Sequence, residues 1–139
     1  MNLRFRHVGL KVKDLDRSIA FYCDILGFEQ GPAFVTPDGR KTGVFVYINH
    51  GAFFELIQGE PQESSAHFCL EVDNVREAVR LLREKGVTVS EPSLGRSKAW
   101  MAFFKDPDGY ALELNEFSPP ESWVRRYLSE RDPQNGAMA

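Results

Sequence analysis

His7-Val8-Gly9-Leu10-Lys11-Val12-Lys13-Asp14-Leu15-Asp16-Arg17-Ser18-Ile19 is the stretch on which the reading of this chain turns. Residues 6–12 alternate as a strand does, with Val8, Leu10 and Val12 on one face and His7, Gly9 and Lys11 on the other. Asp14, or Asp16, offers a cap for a helix running to about Leu26, with Ile19, Tyr22 and Leu26 on one side and Gly27 as its stop. The pattern returns as His67-Phe68-Cys69-Leu70-Glu71-Val72-Asp73-Asn74-Val75-Arg76-Glu77-Ala78-Val79. At a constant offset of 60, His7 meets His67, Leu10 meets Leu70, Val12 meets Val72 and Asp14 meets Asn74. Gly51-Ala52-Phe53-Phe54-Glu55-Leu56 then lies over Gly109-Tyr110-Ala111-Leu112-Glu113-Leu114 at an offset of 58. The chain is thus read as two repeats, 5–58 and 65–117, each opening on a His strand and closing on a Glu strand.

Each repeat reads as a strand, a helix and two or three further strands. In the first, Thr36-Pro37-Asp38-Gly39 is a turn, Val44 to Ile48 a strand, Asn49-His50-Gly51 a hairpin loop and Ala52 to Gln58 the last strand. In the second, strand 66–72 leads to Asn74 as cap and a helix to Lys85, with Gly86 as its stop. Strands near 87–91, at 98–104 and at 110–116 follow, the last two joined by the turn Asp106-Pro107-Asp108-Gly109. The polar segment Gly59 to Ser65 is the linker. Residues 1–118 form one domain, and 119–139 a C-terminal helix and tail: Pro119-Pro120 breaks the sheet, Glu121 to Glu130 forms a helix with Trp123, Val124 and Tyr127 inward, and 132–139 is frayed. The fold class is α+β.

Strand alternation places the chemistry. Phe54 and Leu56, like Leu112 and Leu114, share the core face with the apolar residues of the His strands. Glu55 and Glu113 therefore share the helix-free face with His7 and His67, beside Phe53, Ile57, Ala111 and Asn115. A carboxylate among such neighbours is costly unless paired or metal-bound. If two such units pair about a pseudo-twofold, two imidazoles and two carboxylates converge into a ligand set suited to Zn, Ni, Co, Fe or Mn. A single His–Glu pair on adjacent strands would read as a plain structural ion pair. Two pairs at matching positions of a repeat, using two of the three histidines, favour the metal. The third, His50, reads as a solvated turn residue.

Composition narrows the class. The net charge of −3, from 17 basic and 20 acidic side chains, offers no broad positive field for nucleic acid. No apolar run approaches the roughly 20 residues of a membrane-spanning helix, and the N-terminus lacks a secretory pattern, so a cytoplasmic location is expected. Cys23 and Cys69 stand apart and are expected as buried, reduced thiols, neither bridged nor binding zinc.

The run from His7 through Phe28 resembles the opening of the glyoxalase / bleomycin-resistance / extradiol-dioxygenase superfamily, also called vicinal oxygen chelate, and Lys105-Asp106-Pro107-Asp108-Gly109-Tyr110-Ala111-Leu112-Glu113-Leu114 resembles its closing motif. The resemblance spans residues 5 to about 117. It implies tandem βαβββ modules forming a cupped mixed sheet around one divalent metal. It also implies a homodimer whose metal sites are shared between chains. A His–Glu–His–Glu set, here His7, Glu55, His67 and Glu113, is similar to that of the glyoxalase I group, which isomerises a glutathione hemithioacetal to a thioester. That similarity implies a Lewis-acid metal acting on an enediolate, glutathione or another thiol as cosubstrate, and Glu113, with Glu55 as the alternative, moving the proton at carbon.

Departures from that pattern bear on the substrate. Lys11 stands where similar short proteins place an arginine near the glutathione carboxylate, and a lysine binds a carboxylate as a point charge rather than a fork. The linker after Glu55 is also shorter. Arg96 and Lys98 lie on a loop that can cover an anionic substrate, or stand as solvated charges. Trp100, Met101 and Phe103 read as core or pocket lining. His7, His67 and Glu113 alone would match the thiol transferases that inactivate fosfomycin, or extradiol dioxygenases, and Glu55 argues against both. Acyl-CoA epimerases of the superfamily, and metal-free bleomycin-binding proteins, are further alternatives.

Overall fold

The computed structural model describes residues 1–2, 4–117 and 121–131. Two tandem βαβββ modules make up the α+β fold, with three strands after the helix in each. The first unit takes in Met1–Ser64 together with Asp106–Tyr110, and the second takes in Ser65–Lys105 and Ala111 onward.

In the first unit β1 (His7–Val12) leads to α1 (Leu15–Ile19), which runs on into a π-helical segment (Ala20–Ile25). Asp14 caps α1 by accepting a hydrogen bond from the Arg17 amide at 3.1 Å. The Leu26 amide donates to the carbonyl of Phe21, five residues back, at 3.0 Å. That wide turn inserts a residue and rotates the buried face. Leu15, Ser18, Phe21 and Tyr22 are buried, while Ile19 and Leu26, expected on the inner side with Tyr22, are only half-buried. Gly27, at φ +80°, ends the helix, and the Phe28 amide reaches back to the Tyr22 carbonyl at 3.0 Å.

β2 (Glu29–Val35), β3 (Lys41–Asn49) and β4 (Ala52–Gln58) complete the first sheet in the order β1-β4-β3-β2. β1 and β4 are parallel and the other pairs antiparallel. Pro32, which has no N–H to give, sits at a register shift on the edge strand β2. The β3–β4 hairpin closes through His50 (φ 47°) and Gly51 (φ 78°), the double left-handed turn that suits strand twist. Leu10, Val12, Val44, Val46, Phe54 and Leu56 form the core against α1.

The second unit repeats this order. β5 (His67–Glu71) precedes α2 (Val75–Glu84), capped by Asn74 accepting from the Glu77 amide at 2.9 Å. β6 (Ser93–Leu94), β7 (Trp100–Lys105) and β8 (Ala111–Glu116) give the order β5-β8-β7-β6. The strand expected near 87–91 is reduced to one bridge, Val89 to Phe104, and the paired strand is β6 instead. Two local features explain this. The Ser90 hydroxyl takes the Phe103 amide at 2.9 Å, a bond a ladder would give to a carbonyl, and Pro92 lacks an N–H.

α3 (Trp123–Arg131) forms where a helix was expected, but with its aromatic residues outward. Trp123 is 60% exposed and Tyr127 50%, against the inward placing read from their spacing. Tyr127 instead carries the Arg131 guanidinium over its ring at 5.2 Å. The break at Pro119-Pro120 and the frayed end at 132–139 lie outside the described residues. Among those described, no helix is long and apolar enough to cross a membrane.

Candidate metal-binding site

Both His–Glu pairs form, and in the same way. β1 runs parallel to β4 with His7 opposite Phe53 and Gly9 opposite Glu55. Side chains two residues apart share a face, so His7 reaches diagonally to Glu55, and Nε2 lies 3.1 Å from Oε2. In the second unit His67 is opposite Ala111 and Cys69 opposite Glu113, and Nε2 of His67 lies 2.7 Å from Oε2 of Glu113. The imidazoles are about half exposed, at 44% and 50%, whereas the carboxylates are sheltered, at 23% for Glu55 and 12% for Glu113.

Aromatic residues hold these groups. The His7 ring stacks on Phe53 at 5.1 Å, and Phe53 packs against Phe45 at 4.5 Å. Phe45 is the cross-strand neighbour of Glu55, as Phe103 is of Glu113. Phe103 meets the His67 ring edge-on at 6.4 Å, which assigns it to the lining of this face rather than to the core. Phe45 and Phe53 escaped a role in the sequence reading, although period-two alternation already set Phe53 on the face of Glu55.

The pairs differ in their support. Nδ2 of Asn115 donates to Oε1 of Glu113 at 2.7 Å and contacts the Cys69 sulfur at 3.0 Å. Asn115 is buried. The position matching it in the first repeat is Ile57, which has no donor, and Glu55 faces a glycine across the ladder. A Cβ at Gly9 would come to 3.9 Å from Oε2 of Glu55. Cys69 is exposed, not buried as expected, because it alternates with His67 on the helix-free face of β5. Burial of its sulfur still pushes the thiol above its usual range, with Glu113 and Glu71 adding to the rise against the Asn115 hydrogen bond. Cys23 is half-buried, and both thiols are free.

The donor set fits a divalent ion. Imidazole nitrogen and carboxylate oxygen are the donor types that would hold Zn or a neighbouring first-row ion. The spacings of 3.1 and 2.7 Å are those of N–H···O hydrogen bonds, which the same atoms make as a pair. Each pair supplies two donors. Among the described residues, no three His, Cys, Asp or Glu side chains gather at one metal-binding point.

The other expected site residues are placed as follows. Lys11 is exposed on the His7 face, its stem passing Gly59, and makes no ion pair among the described residues. Arg96 and Lys98 lie exposed in the turn between β6 and β7, with Lys98 at φ 60°, and neither forms an ion pair among the described residues. His50 stands in the β3–β4 turn.

Comparison with known proteins places this geometry in a family. Residues 4–114 match the glyoxalase/bleomycin resistance protein/dioxygenase superfamily. A lactoylglutathione lyase of Salmonella typhimurium is 36% identical over 126 residues, covering 82% of this chain and 93% of that protein. An integron cassette protein from the mobile metagenome of a Halifax Harbour sewage outfall is 28% identical, with a TM-score of 0.69 over 81% of this chain and 97% of that one. TnmS3, an antibiotic binding protein from Streptomyces sp. CB03234, is 25% identical, with a TM-score of 0.65 over 83% of this chain and 96% of that one. With most of its length matched and the βαβββ order present twice, the chain belongs to the glyoxalase/bleomycin resistance protein/dioxygenase superfamily.

Proposed function

We propose that this protein is a metal-dependent isomerase of the glyoxalase I type, acting on the adduct of a small α-oxoaldehyde with a thiol such as glutathione. The observation that carries the reading is the duplicated His–Glu pair: His7 with Glu55 and His67 with Glu113, each at hydrogen-bonding distance on a helix-free sheet face. A 36% identical relative named lactoylglutathione lyase supports it.

In this reading the four residues hold one divalent ion, Zn, Ni, Co, Mn or Fe, with one pair from each of two copies in a homodimer. Bound there, the ion supplies Lewis acidity toward adjacent substrate oxygens. The chain's own residues do the rest. The imidazoles hold their ring planes through Phe53 and Phe103. One glutamate takes the proton from the carbon bearing sulfur and returns it to the neighbouring carbon, so the adduct becomes a hydroxy thioester with no atom gained or lost. Family resemblance gives this task to Glu113, with Glu55 as the alternative. Lys11 offers its ammonium to a cosubstrate carboxylate, and Arg96 and Lys98 offer theirs to an anionic tail.

The test is elemental analysis of protein purified without a metal-affinity tag, followed by assay with methylglyoxal and glutathione. Bound metal that is lost in both His7→Ala and Glu55→Ala, with isomerase activity in the wild type, is the expected result. Metal retained in Glu55→Ala but lost in His7→Ala would point to a three-ligand transferase or dioxygenase. No metal after reconstitution with Ni, Co, Zn, Mn and Fe(II) would leave a binding protein, in line with the antibiotic binding neighbour.

A further inference from the structure

The two glutamates, alike in sequence, are unlike in their surroundings. Glu113 is engaged at both oxygens, Oε1 by the Asn115 amide at 2.7 Å and Oε2 by His67 at 2.7 Å. Asn115 is itself buried, and its amide is shared with the Cys69 sulfur at 3.0 Å, so it has little freedom to follow a moving carboxylate. Glu55 has one partner among the described residues, His7 at 3.1 Å. Across β1 it faces Gly9, where no side chain restricts its swing, and its matching neighbour Ile57 cannot donate. A ligand carboxylate held by an outer hydrogen bond keeps its geometry, and losing such a partner usually weakens metal binding about 10- to 100-fold.

We propose that Asn115 is a positioning residue that fixes Glu113 as the stationary ligand, leaving Glu55 as the carboxylate that carries the substrate's proton. This rests on the isomerase reading above and reverses the assignment that resemblance gives. In the proton step, the C–H bond next to sulfur breaks, its electron pair forms a C=C bond to the neighbouring carbonyl carbon, and the carbonyl π pair moves onto its oxygen, giving the enediolate. The proton passes to a Glu55 carboxylate oxygen and is then delivered to the adjacent carbon, while the hydroxyl proton on the sulfur-bearing carbon passes to the neighbouring oxygen, so that C=O forms beside sulfur. Through this exchange Glu113 keeps the Asn115 hydrogen bond on its Oε1.

The experiment compares wild type, Asn115→Ala, Asn115→Asp, Asn115→Gln, Glu55→Gln and Glu113→Gln as full-length protein. Apo protein is titrated with Zn2+ and with Ni2+ by calorimetry, kcat and KM are measured, and incorporation of solvent deuterium into product is followed. Asn115→Ala should bind either ion about 10- to 100-fold more weakly and lose kcat with KM nearly constant. Asn115→Asp, of the same size but facing Glu113 with an acceptor, should lose more. Asn115→Gln, which keeps the amide, should recover part of both. Glu113→Gln should lose metal affinity, whereas Glu55→Gln should keep more of it and lose both turnover and deuterium incorporation. Unchanged ion affinity and kcat in both Asn115→Ala and Asn115→Asp would overturn the positioning role. A Glu55→Gln protein that still turns over, beside a metal-replete but dead Glu113→Gln, would return the proton to Glu113. In either case wild type still binds metal and isomerises. A wild type that takes up neither ion would instead sink the isomerase reading and this inference together.

Discussion

The hydroxyl of Tyr22 donates to Oδ2 of Asp106 across 2.8 Å, joining two buried side chains 84 residues apart in sequence. The other carboxylate oxygen, Oδ1, accepts the amides of Asp108 and Tyr110, both at 2.9 Å. Asp108 in turn accepts the Lys13 amide and the Ser18 hydroxyl, and the Tyr110 hydroxyl donates to the Lys11 carbonyl at 2.8 Å. The turn 106–110 is thereby fastened beside the first helix. Tyr22→Phe removes one of three donors to a buried carboxylate and should cost about 1.5–3 kcal/mol in urea denaturation. A change below about 0.5 kcal/mol would mean that the bond is replaced by another donor.

The same carboxyl sets a pH dependence. Burial raises the Asp106 pKa above the usual range, with the hydrogen bonds from Tyr22 and from the Tyr110 and Asp108 amides offsetting only part of the rise. The folded state therefore holds this proton more tightly than the unfolded chain. Its contribution is complete below the unfolded pKa of about 3.9 and is lost as pH rises through the folded value. Asp106→Asn, which does not titrate, should thus gain on the wild type as pH rises from about 4 to neutrality. Urea midpoints for the two proteins across that range provide the check, and an Asp106→Asn protein that loses ground to the wild type as pH rises would contradict it.

Gly43 is crowded. A Cβ there would lie 2.8 Å from Cδ2 of Phe34 and 2.9 Å from the Leu56 carbonyl oxygen. The ring can turn, but the carbonyl belongs to the central strand β4. Gly43→Ala should cost about 1–3 kcal/mol by overpacking, seen as a lower melting temperature, and a neutral effect would show that β3 can shift.

Asn74 satisfies the Glu77 amide at the start of α2. Asn74→Ala should destabilise the fold by about 1 kcal/mol, and Asn74→Asp should restore it, since an aspartate caps equally well. Equal losses in both variants would assign the residue some other role.

Ion binding to the folded state should appear in melting curves. With Zn2+ at about 100 times its Kd, one site adds about 2.7 kcal/mol, so the wild type should melt higher and His67→Ala should not respond. A shift of equal size in both proteins would place the ion elsewhere.

Much of this architecture could be read in advance because each signal was periodic and local. Val8, Leu10 and Val12 against His7, Gly9 and Lys11 set the faces of β1, and the offset of 60 carried the same assignment to β5. The Asn74 cap and the Gly27 and Gly86 stops bounded the helices for stated physical reasons. What escaped prediction depends on which competing bond wins. The Ser90 hydroxyl displaced a ladder bond, the π turn after Ile19 rotated a helix face, and the aromatic residues of α3 faced outward although their spacing suited a core. The site divides in the same way. Alternation brought His and Glu to one face. The grip of Asn115 on Glu113 is a side-chain contact that no spacing rule distinguishes from two neighbours pointing the same way.

The turn 106–110 clusters with the first unit, yet it is made from the last third of the chain. On the ribosome, the opening module therefore emerges with Tyr22 lacking its acceptor, and it waits through the synthesis of more than a second helix for Asp106 to arrive. Order of manufacture and order of completion differ here: the module made first is finished late. Such a long wait before a native contact exposes nascent surface to aggregation. A fragment ending at Ser64 should accordingly be soluble only when a peptide carrying residues 105–111 is supplied, and a stable, monomeric fragment without that peptide would show that the clasp is dispensable.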